Sequence, residues 1–317
     1  MKKHLPVNLD LPVRSYPNYV YIFGILEGDY EPWLYSNFLQ LVHTETGWFD
    51  FLVPQFLHEE DLLIRHYSYL PANKTVDNKQ SIINMIIEMI NNDFYVTGIF
   101  NDYYVSFRPH YKQWDFDHFF MINGYDNENR LFNVVSYTKE IVLKEEKISF
   151  DDFIIACNNL ISPTLELIFY KQNKTFKLEF NINKTKKYIE DFLNSINTTR
   201  LKQAGLYGIE ALNSYRKFGI DKRFFSLTRI YVIYEHAKLV VNLTEYLINN
   251  KYIDDDEKIL IENIKRIEKM GELLKFIRIK MDFVKSNLIF SKIIDVLNTL
   301  ISLEEGHLKL LLEKLKG

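Results

Sequence analysis

The chain has 317 residues, 47% of them hydrophobic and 26% charged, with a formal net charge of -3. That balance excludes intrinsic disorder and offers no basic face on which to expect nucleic acid. The length exceeds what one hydrophobic core usually serves, so two domains are expected. The opening Met-Lys-Lys-His-Leu-Pro-Val lacks the apolar core of a secretory signal, and no uncharged apolar run reaches the roughly 18 residues of a membrane span. Cys157 is the single cysteine, so no internal disulfide can form. A cytoplasmic protein, free of membranes, is the expectation.

In chain order, the first part alternates short β-rich runs with amphipathic segments. Helices are expected at residues 20–27, 32–41, 78–91 and 150–158, and His58 to His66 reads as a charged helix. Strands are expected at 95–100, 118–125, 130–136, 140–143 and 165–170. Asp126-Asn127-Glu128-Asn129 is a polar hairpin turn between two of them. Ser149 is an N-cap for the helix that follows, with Asp151 and Asp152 favourably placed in its first turn. Aromatics are abundant, with 24 Phe, 21 Tyr and 3 Trp. Most are expected to fill a core, and a minority to line a groove.

The texture changes near residue 184, and no proline follows. Long helices are expected at 184–215 (broken near Asn197), then 224–250 after a turn at Phe218-Gly219-Ile220-Asp221. Asp254-Asp255-Asp256 has the capping chemistry of a further helix start. The stretch 258–315 is too long for one globular helix and is expected to bend between Asp282 and Asn287. Glu235-His236 and Glu304-Glu305-Gly306-His307 read as exposed helix positions. The division implied is an α+β domain over 1–183 and an all-α helical bundle over 184–317.

One segment carries a family signal: Asp93-Phe94-Tyr95-Val96-Thr97-Gly98-Ile99-Phe100, then Asp102-Tyr103-Tyr104, then His118-Phe119-Phe120-Met121-Ile122-Asn123-Gly124-Tyr125-Asp126. This arrangement resembles the N-terminal domain of the butirosin biosynthesis protein H family, found beside nonribosomal peptide and other thiotemplate pathways. The resemblance spans roughly residues 15–160 and implies a papain-like (cysteine peptidase) fold turned to acyl transfer from carrier-protein thioesters. In such a site a cysteine at a helix N-terminus is activated by a histidine on a facing strand, with a third group orienting the imidazole. His118 matches the histidine. Where relatives carry Asn-Cys this chain has Asn18-Tyr19, and Ser136 stands near the end of the next strand, where an acid is expected. Cys157, deep in an apolar helix, reads as a buried, unreactive thiol.

The resemblance therefore implies a site whose triad positions are His118, Tyr19 and Ser136, with Asn18, Trp33, Tyr104, Trp114 and Asp117 as substrate contacts. Asp115 and Asp117 otherwise read as solvated acids or strand-end caps. His110 with His118 lacks a matched third metal ligand, and neither metal nor cofactor is expected. Two functions stay open. One is a non-catalytic protein of a thiotemplate pathway that binds a carrier protein or its acyl or peptidyl thioester. The other is a cysteine-independent acyltransferase with His118 as general base. A structural role, with a homodimer formed through the helical part, is the remaining possibility.

Overall fold

The computed structural model describes residues 1–52, 62–140, 142–198, 204–253, 258–284 and 286–316. In chain order the elements are β1 (Lys2–His4), α1 (Pro17–Phe23), α2 (Glu31–Tyr35), β2 (Leu41–His43), β3 (Phe49–Phe51) and β4 (Leu63–Pro71). Next come α3 (Lys79–Asn91), β5 (Tyr95–Asn101), β6 (Asp117–Asp126), β7 (Leu131–Tyr137), β8 (Leu143–Ser149), α4 (Phe150–Asn158) and β9 (Thr164–Gln172). The rest are α5 (Ile182–Leu193), β10 (Leu206–Tyr207), α6 (Gly208–Lys222), α7 (Leu227–Asn249), α8 (Lys258–Phe283) and α9 (Asn287–Lys316). The architecture is α+β with a helical C-terminal region. Among the described residues no helix is long and apolar enough to cross a membrane.

The compact units are discontinuous in sequence. One comprises Met1–Glu27 with Asp61–Phe176, and the other Gly28–Glu60 with Lys177–Gly317. This differs from a single boundary at 183, because the segment holding α2, β2 and β3 groups with the helices and not with the large sheet.

The first unit is an antiparallel sheet in the order β4-β9-β5-β6-β7-β8, with β1 pairing β6 beyond the start of β5. Strand side chains alternate between faces. On one face Phe100 stacks on Phe120 at 5.0 Å between ring centroids, and Phe120 and Phe132 meet Phe153 of α4 at 5.3 and 5.2 Å. The residues of the other face meet α1: the Tyr170 hydroxyl donates to the Tyr21 carbonyl at 3.1 Å and lies 3.2 Å from Met121 Sδ. Pro17, whose ring presets a helical φ, starts α1 at its first position. Ser149 caps α4 as expected, its Oγ accepting from Asp152 N at 2.9 Å. Asp126 closes the β6–β7 hairpin as expected, accepting from the backbone N–H groups of Glu128 and Asn129.

Several boundaries shift for local reasons. The helix expected at 32–41 stops at Tyr35, where the Asn37 side chain takes the Trp33 carbonyl at 2.6 Å. Leu41–His43 then pairs as a strand with both β3 and β10. The strand expected at 140–143 runs instead from Leu143 to Ser149. The helix expected from 184 ends at Leu193, and the turn expected at Phe218–Asp221 lies inside α6, which ends at Arg223 in the left-handed region (φ 49°). The bend expected between Asp282 and Asn287 is present, as the gap between α8 and α9. The helix start expected at Asp254–Asp256 lies outside the described residues. So does the first part of the charged helix expected at His58–His66, whose later residues belong to β4.

In the second unit, Glu235, His236, Glu304 and His307 are buried, which corrects their reading as exposed. α7 is apolar nearly all round, so no polar stripe marks its solvent face. His236 is satisfied on both nitrogens: Nε2 reaches the Leu39 carbonyl and Nδ1 reaches Glu304 Oε2, each at 3.1 Å. A carbonyl only accepts, so Nε2 carries a hydrogen, and a further proton lies between Nδ1 and Oε2.

Thr244 Oγ1 gives its hydrogen to the Val240 carbonyl at 2.8 Å and therefore accepts from His307 Nε2, also at 2.8 Å. The neutral His307 ring thus keeps a bare Nδ1, which is buried with no partner among the described residues. Burial pushes the His307 pKa down to about 4 from its ordinary 6.5. Between those values the unfolded chain binds the proton and the folded chain does not. The contribution of this site to stability is therefore complete above about pH 6.5 and lost as the pH falls to about 4. The expected loss is about 3 kcal/mol, read from urea midpoints at the two ends of that window. His307→Leu should flatten this part of the profile, and an unchanged profile would contradict the assignment.

Candidate functional site

The polar centre of the first unit forms where β5 ends and β6 begins. Asn101, the last residue of β5, holds the connecting loop closed. Its Oδ1 accepts from Tyr103 N at 3.0 Å and Phe116 N at 3.2 Å, and its Nδ2 donates to Asp115 Oδ1 at 2.8 Å and the Asn159 carbonyl at 2.7 Å. Asp102 N donates to the Phe116 carbonyl at 2.8 Å, pinning the loop base. Asp117 accepts from the backbone N–H groups of Ile161 and Ser162 at 3.1 and 2.8 Å. These acids therefore cap and brace; Asp117, expected as a substrate contact, ties down the loop before β9.

Arg108 is buried within this frame, with 1% of its surface exposed. Its Nε donates to Asp102 Oδ1 at 2.8 Å, and its Nη1 donates to Ser136 Oγ at 2.6 Å and to the Tyr137 carbonyl at 2.5 Å. The other Asp102 oxygen accepts from His110 Nδ1 at 3.1 Å. The His110 ring lies 4.6 Å from each of the Trp114 and Phe116 rings. Trp114 and Phe116 are 54% and 40% exposed, so they form an open aromatic wall beside a buried charged network.

The expected triad positions sit next to this network. His118 Nδ1 lies 3.3 Å from the carbonyl of Phe119. That carbonyl also accepts from the Tyr21 hydroxyl at 3.1 Å and from Ser136 Oγ at 3.5 Å. The structure thus brings His118 and Ser136 to one backbone oxygen, and the tyrosine that joins them there is Tyr21. Tyr19, two residues earlier on α1, is buried, with its ring 6.4 Å from Phe23 and 6.2 Å from Tyr16. Residues two apart on a helix point in nearly opposite directions, so Tyr19 and Tyr21 serve different faces.

Of the remaining expected contacts, Asn18 is exposed, Tyr104 is half-buried with its ring 5.0 Å from Tyr103, and Trp33 is buried in the second unit. Cys157 is buried as expected, and burial, reinforced by the charge of Asp117, pushes its thiol well above the ordinary range.

The electrostatics follow from burial. His118 is lowered to about 4, first by desolvation and then by the Arg108 charge, so it is uncharged at neutral pH. Burial likewise raises the Tyr21 hydroxyl well above its ordinary value, which keeps it protonated. Among the described residues no group of His, Cys, Asp or Glu converges to hold a metal ion.

Sequence reasoning passed over Tyr21, Asp102 and Arg108. Asp102 lay in the family segment without a role, and His110 was weighed only as a metal ligand. Arg108 carries no spacing rule, because its partners are 6, 28 and 29 positions away. The chain matches no protein-family model and no curated protein.

Proposed function

We propose that this chain binds a carrier protein, or the acyl or peptidyl thioester it bears, in a papain-like site that lacks a nucleophile and belongs to a thiotemplate pathway. The observation that supports this reading is the meeting of Tyr21, His118 and Ser136 on the Phe119 carbonyl. In a working triad a hydroxyl or thiol faces the substrate and its base holds the proton. Here the hydroxyls are turned onto backbone and onto Arg108, and Tyr21 is held protonated. The helix–strand layout, with α1 ahead of the histidine strand β6 and Ser136 on β7, fits the family resemblance. The exposed Trp114 and Phe116 supply apolar surface for an acyl or peptidyl group.

The second reading, a cysteine-independent acyltransferase, draws on the uncharged state of His118 at neutral pH, which leaves a ring nitrogen able to take a proton from an attacking amine. Its weakness is the same number. A base whose conjugate acid has a pKa near 4 has little drive to take that proton at pH 7.

Release of free thiol from an acyl thioester, followed with a thiol-reactive dye, separates the readings. Release by the wild-type chain should equal the uncatalysed rate, and His118→Ala should change nothing. Release above that rate, abolished by His118→Ala, would replace binding with catalysis.

A further inference from the structure

We infer that His110, with Trp114 and Phe116, forms a subsite for a primary alkylammonium group, the amine end of a ligand or co-substrate. The inference deepens the reading above by naming a chemical group the site takes. Its first ground is a fixed tautomer. The fully buried Asp102 accepts from His110 Nδ1 at 3.1 Å, so in the neutral ring the hydrogen is on Nδ1 and Nε2 is a bare acceptor. Asp102 is itself anchored by Arg108 Nε at 2.8 Å, which prevents the carboxylate from swinging away. His110 Nε2 has no partner among the described residues, and the side chain remains 23% exposed. The nitrogen that is free is therefore the one that asks for a donor.

The second ground is the wall. Trp114 and Phe116 each pack against the His110 ring at 4.6 Å, tilted by 46° and 59°, while exposing their own surfaces. Aromatic faces attract cations, Trp most strongly. The same loop shows that preference internally: the ammonium groups of Lys112 and Lys139 lie 5.2 and 5.1 Å from the centroid of the Tyr111 ring.

The third ground is charge. Asp102 offsets Arg108 inside the network, so the buried pair sets no net charge against a cation. An acceptor nitrogen and exposed aromatic surface together fit a cation that carries N–H donors. An alcohol would use only the acceptor, and a carboxylate would be repelled.

The test uses n-butylammonium as probe and 1-butanol as its uncharged counterpart, with the full chain labelled for histidine and tryptophan NMR. The free protein should show His110 as the Nδ1–H tautomer. Butylammonium should shift the His110 Nε2 and Trp114 indole resonances saturably, and butanol should bind at least about tenfold more weakly. His110→Phe keeps an aromatic ring and removes the acceptor, so it should weaken butylammonium by about tenfold or more. Equal binding of the two probes, an Nε2–H tautomer, no saturation, or full retention in His110→Phe would each overturn the subsite. The carrier-binding reading fails separately: a chain that binds a loaded carrier protein but not butylammonium loses only the subsite. One that binds butylammonium but no carrier keeps the subsite and loses that reading.

Discussion

Arg108→Ala is expected to destabilise the α+β unit by about 3–5 kcal/mol, the usual cost of removing one partner from a buried ion pair. The size follows from what is left behind. Asp102 is fully buried, and without the guanidinium its carboxylate keeps, among the described residues, only His110 as a side-chain partner. Ser136 Oγ and the Tyr137 carbonyl lose their donor in the same step. A cavity the size of the arginine stem adds to the loss, since Arg108 also packs over the Phe100 ring at 5.8 Å. Arg108→Lys should recover little, because one ammonium cannot reproduce the fork that serves Asp102, Ser136 and Tyr137 at once. Urea unfolding followed by near-ultraviolet circular dichroism measures this. A loss below about 1 kcal/mol would mean that the pair is open to water.

His236→Leu should cost the helical unit a similar amount, about 3–5 kcal/mol. Glu304 is fully buried, and His236 is its hydrogen-bonded partner; its second oxygen, Oε1, already has none among the described residues. Removing the imidazole strands the acid in an apolar interior and removes the donor to the Leu39 carbonyl. It also ends the stacking of His236 on Phe192, 4.9 Å between centroids. The double variant His236→Leu, Glu304→Leu should be markedly more stable than His236→Leu alone, because the stranded Glu304 carboxylate is then gone. If the double variant is the less stable of the two, the penalty comes from packing and not from the stranded carboxylate.

Local chemistry was what the sequence made legible. Ser149 with Asp151 and Asp152 fixed the start of α4 to the residue, and Asp126–Asn129 fixed the β6–β7 hairpin. Edge strands were harder. β4 exposes Ile64, Tyr67 and Tyr69 and carries Arg65 and His66, so its composition imitates a charged helix; β8, Leu-Lys-Glu-Glu-Lys-Ile-Ser, imitates a loop. Sheet edges carry charge to discourage pairing with other chains, which erases the apolar alternation that identifies a strand. β2 and β3 failed oppositely, being short and buried at every position.

The site was half legible for the same reason. His118 and Ser136 came from the family resemblance, which matched them by their places on successive strands. Tyr21 and Arg108 act through contacts 98, 28 and 29 positions away, which no local spacing predicts. His236 was hidden because its helix, α7, is apolar on most sides.

Binding of an acyl-loaded carrier protein, by titration calorimetry against the unloaded carrier, tests the central claim most directly. The predicted result is saturable binding that is tighter for the loaded carrier, with no acyl group transferred to the protein. No binding, or equal binding of loaded and unloaded carrier, would contradict it.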